Sequence, residues 1–397
     1  MRISFLFLAL LSLPCAATPE TLIYDGLGMV LVRQGLTDSE SPHQVALTEL
    51  KKDAKIALRE GPWSVVSKKL TPPSGDPHDY MSVGPYWWPD PKKEDGLPYI
   101  RRDGKVNPER MDYDNVGLSK TAKGSATLAL AWYFTGEDRY ADQATKLLRT
   151  WFLDPKTRMN PNLNFGQAIP GKSEGRGIGI IDTVCLIQVV DSAILLEGSK
   201  AWTAQDSEAL RKWMADYLHW LRTSKNGLEE KATKNNHGTW YDAQCVSLAL
   251  YTGKKDLARE ILGETKKRIA SQIEPDGTQP HELSRTKTWD YSLMNLRGFF
   301  TLARLAEHLD SDLWNHPSVE KSSLRTALDW LTPFATGKSK WTHKQISRFN
   351  PGKLDIHLRH AAKAYPDSNY EVLLSKLAPS KELQEESFQL TQPKKRD

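Results

Sequence analysis

Cysteine is scarce in this chain: three in 397 residues, of which only Cys185 and Cys245 lie beyond the first seventeen. That excludes a stapled disulfide framework of the kind small exported domains rely on. Each of the two sits in an apolar helical pattern and reads as a buried thiol, although a pairing stays open in an oxidising compartment. Long apolar runs are also missing after the N-terminus, so no later stretch is expected to span a membrane. Neither sign of charge dominates: 54 Lys and Arg stand against 49 Asp and Glu, a formal net charge of +5. So mild an excess suits an anionic ligand but is far from a nucleic-acid signature. No P-loop, His-Glu-x-x-His or Gly-x-Ser-x-Gly sequence occurs. Gly175-Arg176-Gly177-Ile178-Gly179 lacks the glycine spacing of a nucleotide loop, and no strand precedes it. His357 and His360 share a helical face with Asp355 nearby, which reads as a solvated face rather than a metal site.

What is present begins with a leader. Arg2, the apolar run Ile3 to Leu13 and the small-residue site Cys15-Ala16-Ala17 form the three parts of a secretory signal, residues 1–17. The mature chain is expected to be soluble and periplasmic or secreted, without membrane insertion. Apolar residues recur at helical spacing over Ser119 to Phe134, Asp138 to Phe152, Ile180 to Leu196 and Thr203 to Leu221. They do so again over Gly238 to Tyr251, Asp256 to Ile273, Tyr291 to Leu309 and Ser318 to Phe334. One unit recurs: LALAWYFTGEDRYADQATKLL (128–148) and SLALYTGKKDLAREIL (247–262) each join two helices through Thr-Gly and a charged turn. Gly136 and Gly253 fall where a helix needs its C-terminal cap. Repeated helical hairpins predict a stacked or circular all-α array.

Two segments break the pattern. The stretch 72–108 is rich in Pro, Gly and aromatics, and 160–179 is a second irregular segment; long irregular segments inside a compact domain tend to be functional. After Ser380 the chain is charged and polar and is expected to fray. The domain therefore reads as 18–380, with a polar tail at 381–397.

Chemistry concentrates at two helix entrances. Asn235-Asn236-His237-Gly238-Thr239-Trp240-Tyr241-Asp242 precedes one apolar helix, and His281 to Tyr291 (HELSRTKTWDY) precedes the next. An ordinary N-cap and a solvated loop would explain each alone. Together they offer an amide, an imidazole, a guanidinium and a phenol, which suits β-elimination at a uronic acid. The C5 proton is weakly acidic beside an ionised carboxylate. That carboxylate must be neutralised, the enediolate stabilised and the proton removed. Asn236 and Arg285 are the candidates for holding the carboxylate, and His237 for holding it or acting as base. Tyr291, its pKa expected to be lowered by cationic neighbours, is the candidate for taking the proton and protonating the leaving oxygen. No metal or other cofactor is required. Tyr80, Tyr86, Trp87, Trp88 and Trp240 are candidates for stacking on sugar rings. Gln167 and Arg176 are candidates for holding a hydroxyl or carboxylate.

The spacing also carries a resemblance. Asn-Asn-His-x-x-Trp, followed about 45 residues later by Glu-Leu-x-Arg and a Tyr, resembles the alginate lyase family. HDYMSVGPYWWPDP (78–91) is similar to that family's N-terminal loop, and GRGIGIIDT (175–183) to its central segment. The resemblance spans roughly residues 70 to 300. It implies an (α/α) toroid of antiparallel helical hairpins with Asn236, His237, Arg285 and Tyr291 as its active site. It also implies an acidic polysaccharide as the partner. Arg285 and Tyr291 are one residue closer than the family's pattern, with Lys287 where a further arginine is expected between them. That departure implies a divergent branch acting on alginate or glucuronan. Two other readings compete. A glycoside hydrolase would need opposed carboxylates, for which Asp242, Glu282 and Asp290 are available. A glycan-binding protein would keep the aromatic loop without needing all four polar groups. The sequence sets no oligomeric state.

Overall fold

The computed structural model describes residues 18–316, 321–377 and 387–393. The leader predicted at 1–17 lies outside them. Fifteen helices can be followed among the described residues, and the strands are short. The chain opens with α1 (Gly26–Gly35) and α2 (Gln44–Ala57), then reaches a hairpin of α3 (Asp114–Thr135) and α4 (Asp138–Leu148). After α5 (Leu186–Leu196), α6 (Ala204–Thr223) and the short α7 (Lys225–Lys231) come α8 (Asn236–Tyr251) and α9 (Lys255–Gln272). The one-turn α10 (Pro280–Leu283) leads into α11 (Thr288–Ala306) and α12 (Leu324–Ala335), and α13 (Asp355–Ala364) and α14 (Tyr370–Leu374) follow.

Packing sorts these helices into two layers. The helices α3, α5, α8 and α11 pack in series, each against the next, while α4 packs on α3, α9 on α8 and α12 on α11. The inner helices are apolar nearly all round; in α8 almost every residue from Trp240 to Ala249 is buried. A helix without a polar face has to be enclosed, whereas α4, with a single apolar stripe, can face solvent. Each buried Leu or Phe of such a core contributes about 1.5–3 kcal/mol. This is the helical toroid the hairpin repeat predicts. Gly136 and Gly253 terminate α3 and the α8 hairpin at φ 71° and 74°, the left-handed conformation that spares glycine a steric cost.

Most predicted helices are found within a few residues of their expected ends. The start expected at Ser318 lies outside the described residues, and the helix expected from Ile180 opens as a 3-10 turn ahead of α5. Three further features differ. First, Gly177–Leu196 is apolar and long enough to cross a bilayer, contrary to the sequence expectation. Its residues Leu186, Val189, Val190, Ala193 and Leu196 line the core instead. Second, the two irregular segments are joined to each other. Strand β1 (Met81–Val83) pairs in parallel with β4 (Phe165–Ala168), and β2 (Trp87–Trp88) pairs antiparallel with β3 (Ile100–Arg101). Third, part of the tail expected to fray is docked. Helix α15 (Ser387–Thr391) packs against α1 and α2, and Leu390 is fully buried. The backbone N–H of Asp25 donates to Thr391 O at 2.9 Å and Gln392 Nε2 to Ile23 O at 2.7 Å. The two ends of the described chain thus hold one another. Leu390→Ala is expected to lower stability by about 2–5 kcal/mol. An unchanged urea midpoint in that variant would show that the tail is not part of the folded unit.

Candidate active site

Each inner helix is followed by an outer one that returns the chain, so the entrances of α8 and α11 gather at one end of the toroid. The entrance of α8 is capped by Asn235, whose side chain accepts from the His237 N–H at 3.2 Å. Asn236 follows, buried, and a single carboxylate holds it twice. Glu282 accepts from the Asn236 backbone N–H at 2.6 Å and from its Nδ2 at 2.8 Å. Glu282 belongs to α10, three residues ahead of Arg285, so this clamp ties one helix entrance to the other. Burial pushes the Glu282 carboxyl up, against the pull of Asn236, Arg285 and His237.

Arg285 lies against Tyr291, its guanidinium 4.2 Å from the ring centroid and its Nη2 3.2 Å from the hydroxyl. The same Nη2 donates to Asp103 Oδ1 at 3.1 Å. Asp103 also accepts from Thr286 Oγ1 at 2.8 Å and from Arg101 Nη2 at 2.8 Å. The aromatic segment 72–108 is therefore fastened to the catalytic face by an ion pair. These partners hold Asp103 below the usual carboxylate range, more than offsetting its burial. Burial works against the charge of Arg285, but Tyr291, Asp103 and Glu282 outweigh it and raise its pKa. Its Nε is buried without a partner among the described residues.

Tyr291 corrects an expectation. Its hydroxyl lies 2.7 Å from that of Tyr86. Burial first, and then Tyr86, push its pKa well up, and Arg285 opposes this without prevailing. The shift favours the neutral phenol. His237 is half-buried, with Nδ1 2.8 Å from Glu230 Oε1.

The other predicted residues divide. Tyr86 joins the site directly. The Trp87 ring is flanked by Lys172 at 4.9 Å and Arg176 at 5.9 Å. Trp88 donates its indole N–H to Lys105 O at 2.9 Å and carries Arg102 over its ring. Three candidates are turned inward. Tyr80 is fully buried with its hydroxyl on Asp182 at 3.0 Å, so it cannot stack on a sugar. Trp240 is packed in the core, donating to Met294 O at 3.1 Å. Gln167, also buried, spends its Nε2 on Asp182 at 3.0 Å and its Oε1 on Arg176. Adjacent residues on a strand face opposite ways and those on a helix point about 100° apart, and sequence order alone does not say which way is out. Asp103, Glu230 and Asp182 went unrecognised as site residues. Asp103 and Glu230 stand singly in polar stretches and Asp182 at the end of an apolar one, so none carries a pattern of its own, and only the fold gives them these partners.

The opposed carboxylates of a hydrolase are not on offer. Asp242 is bound by Arg268 at 2.8 Å, Asp290 by Ser347 and Gln345 at 2.7 Å, and Glu282 by Asn236. Against this geometry the comparisons are decisive: the family model described as alginate lyase matches residues 64–341. The chain belongs to the alginate lyase family. It is thus a polysaccharide lyase, an enzyme, with the helical-toroid fold of that family. A crystal structure of an alginate lyase from Bacteroides ovatus is 38% identical, with a TM-score of 0.91 over 95% of this chain and 100% of that one. Alginate lyase A1-III from Sphingomonas species A1 shares the fold at 16% identity, with a TM-score of 0.57 over 96% of this chain and 98% of that one. A histidine-to-alanine variant of A1-III complexed with a tetrasaccharide gives a TM-score of 0.59 at 16% identity, over 97% of this chain and 100% of that one. No curated protein matches the chain.

For this lyase the Glu282 clamp makes a clear prediction. In Glu282→Gln an amide N–H₂ would face the Asn236 donors, so stability should fall by about 1–3 kcal/mol. Denaturation of the variant by urea measures it. A hydrolytic acid at this position would instead be replaced at little cost in stability.

Proposed function

We propose that this lyase cleaves a 1,4-linked polyuronate, alginate foremost, by β-elimination, and that glucuronan is the alternative polymer. The observation that carries the reading is the meeting of Asn236, His237, Arg285 and Tyr291 at two neighbouring helix entrances, without a free pair of carboxylates. The tetrasaccharide complex of the distant A1-III variant and the alginate lyase from Bacteroides ovatus support the same polymer class.

In this reading the Arg285 guanidinium, whose buried Nε–H lacks a partner, and the Asn236 amide hold the uronate carboxylate and the enediolate that grows from it. A base removes the C5 proton. The electron pair left on C5 forms the C4=C5 double bond, the C4–O bond breaks, and the departing oxygen takes a proton. Tyr291, kept neutral by burial and Tyr86, is the acid for that last step. The base depends on stereochemistry. In guluronate the C5 hydrogen and the leaving oxygen lie on opposite faces, so two groups are needed, and His237 takes the proton that Tyr291 does not. In mannuronate they lie on one face, and a single hydroxyl can serve both steps if Arg285 holds it ionised as substrate binds. In the same reading Arg176 and Lys172, which lie against the Trp87 ring, meet further carboxylates of the polymer. The leader at 1–17 fits an enzyme that meets its polymer in the periplasm or outside the cell.

The assay is the rise in ultraviolet absorbance of the unsaturated product with mannuronate-rich blocks, guluronate-rich blocks and glucuronan. Tyr291→Phe should lose about 10²–10⁴-fold in kcat on the cleaved polymer while still binding it. Reducing ends released without absorbance would replace elimination by hydrolysis. His237→Gln should cost more on guluronate than on mannuronate. Equal losses on both would remove the stereochemical division of labour.

A further inference from the structure

Glu230 is only 1% exposed at its side chain, a carboxylate taken almost wholly out of water on the short helix α7. Burying such a group is costly unless it is paired. Its Oε1 meets His237 Nδ1 at 2.8 Å, and its Oε2 has no partner among the described residues. Among the described residues no lysine or arginine contacts it directly, and the imidazole is its partner. The backbone forces this placement. A Cβ at Gly177 would lie 2.6 Å from Asn226 O, 2.9 Å from Glu229 Cβ and 3.0 Å from Glu230 N. A Cβ at Gly227 would lie 1.9 Å from Leu221 O. Glycine at both positions lets α7 press onto the segment 177–183 and turn sharply from α6, and that delivers Glu230 beneath the helix entrance that carries His237.

We infer that Glu230 is the positioning residue of His237, holding the ring by an Nδ1–H bond so that Nε2 is the bare nitrogen available to the substrate. A ring nitrogen's protonation is set by the bond its partner nitrogen makes, and a carboxylate fixes Nδ1 as the donor. When Nε2 accepts a proton, the imidazolium forms beside a buried negative charge that stabilises it. Arg176 faces Glu230, while Glu282 faces His237 with Arg285 close by, so Glu230 is one anion among mixed charges and acts through its direct contact. What the proton's source is rests on the elimination reading, but the tautomer does not.

The experiment uses the full chain with ¹⁵N-labelled histidine, at a pH where the ring is neutral. The His237 signals are those that vanish in His237→Gln. The wild type should show a protonated Nδ1 and a bare Nε2. Glu230→Leu, which removes the acceptor, should shift the ring towards the mixture of free imidazole. Glu230→Gln, which keeps the volume without the charge, should lose about tenfold to a hundredfold in kcat with KM within about twofold. Should the leucine variant fail to fold, the glutamine variant carries the test. A folded variant of either kind with the wild-type tautomer and wild-type kcat overturns the inference and leaves Glu230 a structural pair. Absence of unsaturated product from every polyuronate would sink the elimination reading, while the nitrogen spectra would still decide the pairing.

Discussion

The site depends on one buried carboxylate that is not itself placed to react. Glu282 receives both the backbone and side-chain N–H of Asn236, and this fixes the entrance of α8 relative to the segment that carries Arg285 and Tyr291. Two helix entrances on neighbouring hairpins would otherwise be free to shift by the ångström or so that loops tolerate. Reacting groups need tighter positioning than that. The clamp works because its geometry leaves little slack: only Leu283 and Ser284 separate Glu282 from Arg285, and Asn236 is the first residue of its helix. Fixing one therefore fixes the other.

A second consequence concerns charge. A site for a polyanion might be expected to display bare cations, yet Arg285 is shared with Asp103 and Tyr291, and Arg176 with Gln167. Pairing prevents the cations from collapsing onto random surface anions and keeps each fork in one orientation. The substrate carboxylate then meets preorganised donors and has no need to recruit mobile ones.

The fold was largely legible in the sequence, because helical periodicity and the Thr-Gly stops at Gly136 and Gly253 are local signals. The four polar residues at the helix entrances were legible for the same reason: they cluster along the chain. What stayed hidden was everything that depends on two distant segments meeting. Asp103 reaches Arg285 across 182 positions, and the Tyr86 hydroxyl reaches Tyr291 across 205. The inward turn of Tyr80, Gln167 and Trp240 was hidden too, since an aromatic or amide in a polar stretch reads equally well as ligand contact or core. The tail misled in the opposite sense. Its polarity reads as frayed chain, but buried Leu390, the Phe388 ring against His360 and two hydrogen bonds to the N-terminal segment dock residues 387–393.

The error over Tyr291 is the most instructive of these. Counting nearby cations led to a lowered pKa, and one guanidinium does lie against the ring. Desolvation acts on the same phenol with the opposite sign, however, and Tyr86 adds to it. The outcome is set by which effect is larger, and here burial is. While Tyr86 stays on the hydroxyl, Arg285 does not prevail over burial. The hydroxyl is thus better prepared to give a proton than to take one. On the proposed reading, a polymer whose geometry requires a separate base would find it in the His237 imidazole.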